Sequence, residues 1–408
     1  MSHFLLVTLC NNPLNSSAQT ICLEIPADFN CAQIKSAPIY SGFDKLINSI
    51  TGISQDSKYL YLLSPGQTTQ LSILDKQTLS SVSCQELPEV HDAHSILAYN
   101  GKLYVVSTGT DEIITYDIKD QSAINPKIFW KIESSNKDTN HINSINNIKG
   151  DFYITAFGPK AAKLHSSARN GYILNISKGT KIKKNIYHPH TLSVRNGTMY
   201  YCESSRKYFC SLTEDLLALN GYARGIAWIN DHIVCVATSV GRTVSKSTGQ
   251  ILNPADPGTP SGACEITIYN IVEKKILAKI DLSEFGPEIY DLLLLDSKIN
   301  LLEKATEAIL TERKQHKQYL DSELSIQDLK NQELNSQLSA KENSIDLFRS
   351  KLSEREAIIQ NLTDQINTFQ DNIDFYSKSR SWRLTAPFRA LMNNFRKNGS
   401  KPRGSKDE

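Results

Sequence analysis

Two stretches of the chain share one plan. HDAHSILAYNGKLYVVSTG (residues 91–109) and HPHTLSVRNGTMYYCES (residues 188–204) each place two histidines ahead of an apolar run. Both then turn at Asn-Gly and continue in a strand of β-branched or aromatic residues. The plan recurs about every 35 to 50 residues, the spacing that marks propellers and other repeat folds. Further copies are LINSITGISQDSKYLYLLS, beginning at residue 46, HINSINNIKGDFYITAFG, beginning at residue 141, and YARGIAWINDHIVCVATSVGR, beginning at residue 222. EIYDLLLLD, residues 288–296, starts one more and stops.

Each unit holds three or four short strands with period-two alternation, separated by Asn-Gly, Lys-Gly or Asn-Asp turn dipeptides. One such unit is an antiparallel sheet with two faces to cover, so it needs a neighbour on each side. A closed ring of units supplies both, which predicts an all-β propeller, six blades by our count and five or seven as alternatives. The truncated last unit is completed by strands from the other end, FLLVTL and TICLEI.

In a propeller the first strand of each blade lines the central channel. Aligning the units on Ile96, Ile145, Leu192, Ile226 and Leu293 puts His94, Asn143, His190, Arg224 and Asp291 in equivalent positions. Two residues earlier, on the same strand face, stand Asp92, His141 and His188. These eight residues are the candidate channel or ligand-binding set. Neutral imidazoles beside carboxylates suit a divalent metal, with His94, His141 and His190 as the candidate ligands, and Arg224 suits an anionic group. Three readings stay open: a hydrogen-bond network that fixes the blades, a binding mouth without chemistry, and a metal or acid/base catalytic site.

The successive units HDAHSILAYNGKLYVVSTGTDEIITYD, HINSI with YITAFG, HPHTLSVRNGTMYYCES, GYARGIAWINDHIVCVATSVGR and EIYDLLLL resemble the blades of a bacterial family of conserved hypothetical propeller proteins, a domain of unknown function. The resemblance runs over residues 1–297. It implies a fold and assigns no reaction.

A formal net charge of +2 over 408 residues is too small to imply nucleic-acid binding by the whole chain. Eight cysteines without a CxxC pair sit mostly in strand-like segments, as small apolar side chains do. The apolar run in MSHFLLVTLCNNP is too short for a signal-peptide core or a membrane span, so the expectation is a cytoplasmic protein.

Composition changes at Ser297. Gln, Glu, Lys, Asn, Ser and Leu dominate, and no Gly or Pro follows until Pro387. Leu324, Asn331, Leu338, Ile345, Leu352, Ile359, Ile366 and Ile373 stand seven residues apart, with Leu320, Leu334, Phe348, Leu362, Phe369 and Tyr376 at companion positions. That seam predicts a long α-helical coiled coil over residues 298–378, interrupted at Lys341 and Arg355, with a dimer favoured over a trimer.

Residues 379–408 form a basic tail. From Lys378 to Lys406 there are nine basic residues and no acidic one. Thr385 and Pro387 start a short amphipathic helix on which Phe388, Leu391, Met392 and Phe395 share a face. Trp382, Arg383, Phe388, Arg389, Leu391 and Phe395 are the candidate contacts to an anionic membrane surface.

SRSWRLTAPFRAL is similar to the S-x-S-W-R-x-T-x-P-x-R segment that follows coiled coils in many bacterial glycosyltransferases and surface-polysaccharide biosynthesis proteins. Ser379, Ser381, Trp382, Arg383, Thr385, Pro387 and Arg389 carry the match. The similarity implies work at the inner face of the cytoplasmic membrane beside enzymes that assemble O-antigen or capsule. It does not extend to glycosyl transfer, since the chain has neither a nucleotide-sugar Rossmann pattern nor a DxD-type motif in an α/β setting. The leading expectation is therefore a homo-oligomeric, membrane-peripheral binding or scaffolding protein whose head takes a carbohydrate or protein partner. The alternative is a metal-dependent lyase or hydrolase acting in the channel on a sugar-derived or other small anionic substrate.

Overall fold

A computed structural model describes residues 2–12, 19–43, 47–132, 137–161, 164–242, 251, 262–296 and 298–397, with the side chains of 382 and 394–397 outside that set. Six four-stranded antiparallel sheets form the blades of the propeller. Their inner strands are Gly52–Gln55, Ala93–Tyr99, Ile142–Ile148, Pro189–Arg195, Tyr222–Trp228 and Glu288–Leu295, which start blades 1 to 6 in that order.

The turn dipeptides behave as their chemistry requires. Asn100-Gly101 and Asn196-Gly197 have positive φ at both residues (49° and 71°, 51° and 76°), the backbone of the tight hairpin turn whose twist matches the flanking strands. Strand alternation then sends apolar residues into the spaces between blades. Six hydrophobic clusters result. Each contains one member of a single equivalent set, Ile53, Ile96, Ile145, Leu192, Ile226 and Leu292, all of them buried.

The ring is closed by the two ends of the head. Phe4 to Thr8 pair with Leu295 to Asp291, so blade 6 has its inner strand from the end of the head sequence and its three outer strands from the beginning. Leu5, Leu6, Val7 and Leu9 on the closing strand are fully buried.

A second device ties neighbouring blades near the axis. The residue that follows the second strand's pairing partner sends a side-chain hydrogen to the start of the next inner strand. Thr108 Oγ1 donates to the Ile142 carbonyl at 2.6 Å, Ser204 Oγ to Ala223 at 2.5 Å and Ser239 Oγ to Ile289 at 2.9 Å. At the closing junction the donor is a thiol, Cys10 Sγ to Ile50 at 3.3 Å, and burial pushes that thiol up to about 12, so it keeps its proton. Blades 1 and 3 depart from the pattern: in blade 1 Thr51 Oγ1 makes the tie, to the Ala93 carbonyl at 2.5 Å, and blade 3 has Phe157 at this position.

One register differs from the sequence alignment. Leu292, rather than Leu293, occupies the buried position equivalent to Ile226, so Tyr290 and not Asp291 is the counterpart of His94. The run Leu292–Leu295 has no alternation that could fix the phase.

After the head comes α1, Leu301–Lys378, then the short α2, Arg380–Leu384, and α3, Ala386–Lys397. The chain divides into two compact units, Met1–Leu320 and Asp321–Glu408. Within the first, Ile299 and Leu301 join the cluster that holds Phe4 and Ile50, Ala308 is fully buried, and Gln315 Nε2 donates to the Phe43 carbonyl. In the second, the seam stands open: Leu324, Ile345 and Ile366 are 63%, 50% and 64% exposed. Among the described residues no helix is long and apolar enough to cross a membrane.

Because the closing strand is fully buried, Leu6→Ala is expected to lower the unfolding free energy by roughly 2–5 kcal/mol in urea titration, whereas Thr363→Ala on exposed α1 changes it by about 0.5 kcal/mol or less.

Candidate functional site

Five of the six inner strands break register against a neighbour. The breaks fall at His94, at Asn143, within Thr191–Leu192, at Gly225 and at Tyr290. Such bulges re-aim side chains, and here they do so around one axis. Asp92, His141 and His188 precede them in the left-handed region, with φ of 51°, 53° and 51°. Gly225 also has positive φ, and a Cβ there would lie 3.2 Å from the Asp291 Cα, so glycine allows blades 5 and 6 to approach.

The resulting cavity holds about 250 Å³ and is lined by His94, Asn143, His190, Tyr290 and Asp291 together with Gln55, Asn146 and Ser193. At roughly 30 Å³ per water it has room for about eight waters. Of the remaining candidates, His141, His188 and Arg224 join it through ring contacts and Asp92 through its carbonyl on His94. His94 and His141 stand edge to face at 4.9 Å, and His94 meets Tyr290 at 6.0 Å. Phe157 lies flat on His188 at 4.3 Å and also touches His190 and His141. The Arg224 guanidinium sits between the Tyr222 and Tyr290 rings, 5.0 and 4.9 Å from their centroids.

Hydrogen bonds fix two of the tautomers. His94 Nδ1 lies 2.9 Å from the Asp92 carbonyl oxygen, an acceptor only, so this nitrogen carries the proton. His190 Nδ1 faces the His188 carbonyl at 3.1 Å and Ser204 Oγ at 2.7 Å, and the hydroxyl hydrogen is already committed to Ala223. Both rings therefore keep Nε2 as an acceptor. Burial holds His94 down to about 4, His188 to about 3, and His190 and His165 below the usual imidazole value, so these rings are neutral near pH 7. Burial acts the other way on Asp291, whose carboxyl is pushed up to about 7. Tyr222, paired with His188 Nδ1 at 3.0 Å, is pushed up to about 12 and stays a phenol.

Charge is supplied from behind. Glu288, 3% exposed, accepts a two-pronged contact from Arg242 at 2.8 Å and a longer one from Arg224 at 3.5 Å. Burial opposes ionisation of Glu288, but the Arg242 and Arg224 charges outweigh it and hold the carboxyl below its usual range. Asn143 is taken up by the fold: its Oδ1 accepts from Thr155 Oγ1 at 2.7 Å and its Nδ2 donates to the His141 carbonyl.

The expected metal set, His94, His141 and His190, is not gathered. Among the described residues, three donor atoms lie within 4.8 Å of one another at Asp138, His141 and His165 and at Glu203, Cys210 and Asp215. His94 and His190 each turn the protonated Nδ1 to a main-chain carbonyl instead. The Glu203 group is already occupied, since Arg206 spans Glu203 at 2.9 Å and Asp215 at 2.8 Å and burial keeps the Cys210 thiol protonated.

Sequence reasoning did not find Phe157, Tyr222, Tyr290, Glu288, Arg242, Asp138 or His165. Tyr222, Glu288 and Tyr290 were reachable: with blade 6 aligned on Leu292, Tyr290 falls in the lower tier and Tyr222 and Glu288 in the upper. Of the tail candidates, Phe388 and Leu391 are exposed on α3 (79% and 62%), and Arg389 donates to Thr385 Oγ1 at 2.6 Å. Arg383 is exposed on α2, while the side chains of Trp382 and Phe395 lie outside the described residues.

The profile of one family, described as a domain of unknown function (DUF4915), matches residues 92–301. No curated protein matches the sequence. Solved structures similar to this chain include a chain of a nidogen/laminin complex, at 9% identity and TM-score 0.47, covering 72% of this chain and 98% of that one. A Bacteroides caccae protein of unknown function matches at 9% identity and TM-score 0.46, covering 72% and 100%. A Bacteroides fragilis protein named as a candidate 6-phosphogluconolactonase matches at 11% identity and TM-score 0.46, covering 72% and 98%.

Neutral buried imidazoles make stability depend on pH. His94 and His188 bind a proton in the unfolded chain below about 6.5 but in the folded one only below about 4 and 3, so the unfolded state gains protons as pH falls. Stability is expected to drop between pH 6.5 and 4 by up to about 1.4 kcal/mol per pH unit per imidazole, with Asp291, folded value about 7, opposing by one proton over much of that range. Urea titrations at pH 7.5, 6 and 5 check this, and His94→Gln should flatten the profile.

Proposed function

The chain belongs to the DUF4915 family of domains of unknown function, and on that footing we propose that its six-bladed head is a binding module for a small polyhydroxylated, carbohydrate-like ligand. The observation that carries this is the pair His94 and His190: both line the cavity, and both are locked by their own Nδ1–H so that Nε2 is an acceptor. Neutral acceptors take hydroxyl donors without the desolvation cost of a charge. The Tyr290 ring, which also lines the cavity, supplies an apolar surface that such a ligand needs.

A second reading, channel catalysis on a sugar-derived or other small anionic substrate, is favoured by Asp291 alone, whose carboxyl titrates near neutrality inside the cavity as a general acid or base does. Binding is distinguished from turnover directly. Thermal-shift titration of the protein with a panel of monosaccharides and nucleotide sugars should raise Tm for at least one compound. His190→Ala should abolish the rise, and the compound should be recovered chemically unchanged. Recovery of a lyase or hydrolase product, lost in Asp291→Asn, would establish the second reading. No shift with any sugar would remove the first.

Further along the chain we propose that residues 298–378 self-associate as a dimeric coiled coil and that residues 379–408 bring the assembly to an anionic membrane surface, beside surface-polysaccharide enzymes at the inner face of the cytoplasmic membrane. The exposed seam supports the first part, because Leu338, Leu352, Ile359 and Ile373 are 57–62% exposed on one chain. The basic, apolar-faced α3 and the SRSWRLTAPFRAL segment support the second. Light scattering should give twice the chain mass, falling to monomer in Ile345→Asp/Ile359→Asp. Phe388→Ser/Leu391→Ser should release the protein from phosphatidylglycerol vesicles at unchanged oligomeric state, and retention on the vesicles would refute the role of the tail.

A further inference from the structure

At the mouth of the channel a single carboxylate oxygen holds two imidazoles. Asp138 Oδ2 lies 3.0 Å from His141 Nδ1 and 2.9 Å from His165 Nε2, and the two rings overlap with centroids 4.5 Å apart. The other oxygen, Asp138 Oδ1, is buried with no hydrogen-bond partner, and so is His165 Nδ1. Such an arrangement is unbalanced: one oxygen is doubly served while its twin and a ring nitrogen have nothing.

We propose that Asp138, His141 and His165 form a binding site for a divalent transition-metal ion. Two imidazole nitrogens and one carboxylate oxygen are the donor set of open zinc and non-haem iron centres. The two spacings to Oδ2, 2.9 and 3.0 Å, are close to the roughly 3.3 Å edge of a tetrahedron with donors about 2.0–2.1 Å from zinc, and all three donor atoms lie within 4.8 Å of one another, so an ion enters with small movements of the three groups. The ion replaces the two N–H hydrogens that now converge on Oδ2. Each imidazole then carries a proton on its other ring nitrogen.

The surroundings suit the role. Burial alone would raise the Asp138 carboxyl, but the hydrogen bonds from His141 and His165 hold it well below the usual carboxylate range. Burial lowers the His165 imidazole below its usual value, which favours the neutral ring that a metal takes. Phe157 backs the His141 ring at 4.6 Å and limits its rotation. Three protein donors leave a position for water or for an oxygen atom of a molecule in the channel, next to His94 at 4.9 Å from His141. The site is argued from its own donors and does not depend on what the cavity itself binds.

The full-length protein, stripped with a chelator and dialysed, is titrated with Zn²⁺ by calorimetry and with Co²⁺ by visible absorption. We expect one ion per chain, with a ligand-field spectrum that lacks thiolate charge transfer. Asp138→Asn and His165→Gln should each weaken binding at least tenfold, while substitution of the exposed His232, His232→Gln, leaves it within about twofold. Circular dichroism reports folding, and Tm of the wild type should rise with Zn²⁺ while those of the two ligand variants do not. Absence of binding to the wild type, binding unchanged in both ligand variants, or a thiolate band lost in Cys210→Ser would overturn the proposal.

Discussion

The pairing of Phe4–Thr8 with Asp291–Leu295 is the contact on which the head depends. A sheet with two apolar faces needs a neighbour on each side, and only a closed ring gives one to every blade. Closure therefore makes each of the six inter-blade clusters a condition for the others. It also builds the candidate site, since the inner strands can deliver side chains to a common axis only when the ring is shut. The fully buried Leu5, Leu6 and Val7 put apolar burial on the order of a few kcal/mol per side chain at the one place where the chain could open.

Closure also explains the electrostatics of the mouth. His94, His188 and His190, shielded from water, do not charge near pH 7, first because burial disfavours the cation and then because neighbouring cations would repel it. The same burial leaves Asp291 near its titration point. What positive charge the mouth retains is Arg224, and its counter-ion Glu288 is shared with Arg242. A buried carboxylate between two guanidiniums is favourable mainly by comparison with its loss, which would leave two cations facing each other. Because Glu288 opens the inner strand of the closing blade, this ion cluster and the ring closure are one structural unit.

The repeat made much of this legible. His94 and His190 could be placed on the axis because the Asn-Gly turn fixes the phase of the strands around it, and the apolar residue two positions on marks the register. Where that marker is lost, the reading slips. In Leu292–Leu295 every residue is apolar, alternation is absent, and the alignment fell one residue late, promoting Asp291 over Tyr290. Asp138 and His165 were out of reach for a different reason. They lie in connections between strands, where no periodicity constrains position, and only the folded chain brings residues 138, 141 and 165 together. Phe157 hid in another way: it occupies a position that in blades 2, 4 and 5 holds a hydroxyl, so its exception is visible only once the inter-blade ties are known.

Beyond Leu320 a different physics operates. Residues 321–378 are one exposed helix rich in Gln, Asn, Ser and charge. Such a helix gains little from propensity alone, since most helical stability in proteins comes from packing an apolar face. An apolar residue nevertheless returns at nearly every seventh position from Leu324 to Ile373, with Asn331 as the one polar member of the row. On a single chain these side chains remove almost no area from water, so the energetic argument for them requires a second helix. A polar residue within an apolar row is what sets register and strand number in paired helices, at a cost in stability. The spacing is the ground for the proposed pairing, which would present two channel mouths on one assembly and raise avidity for a repeating ligand without any new contact in the site.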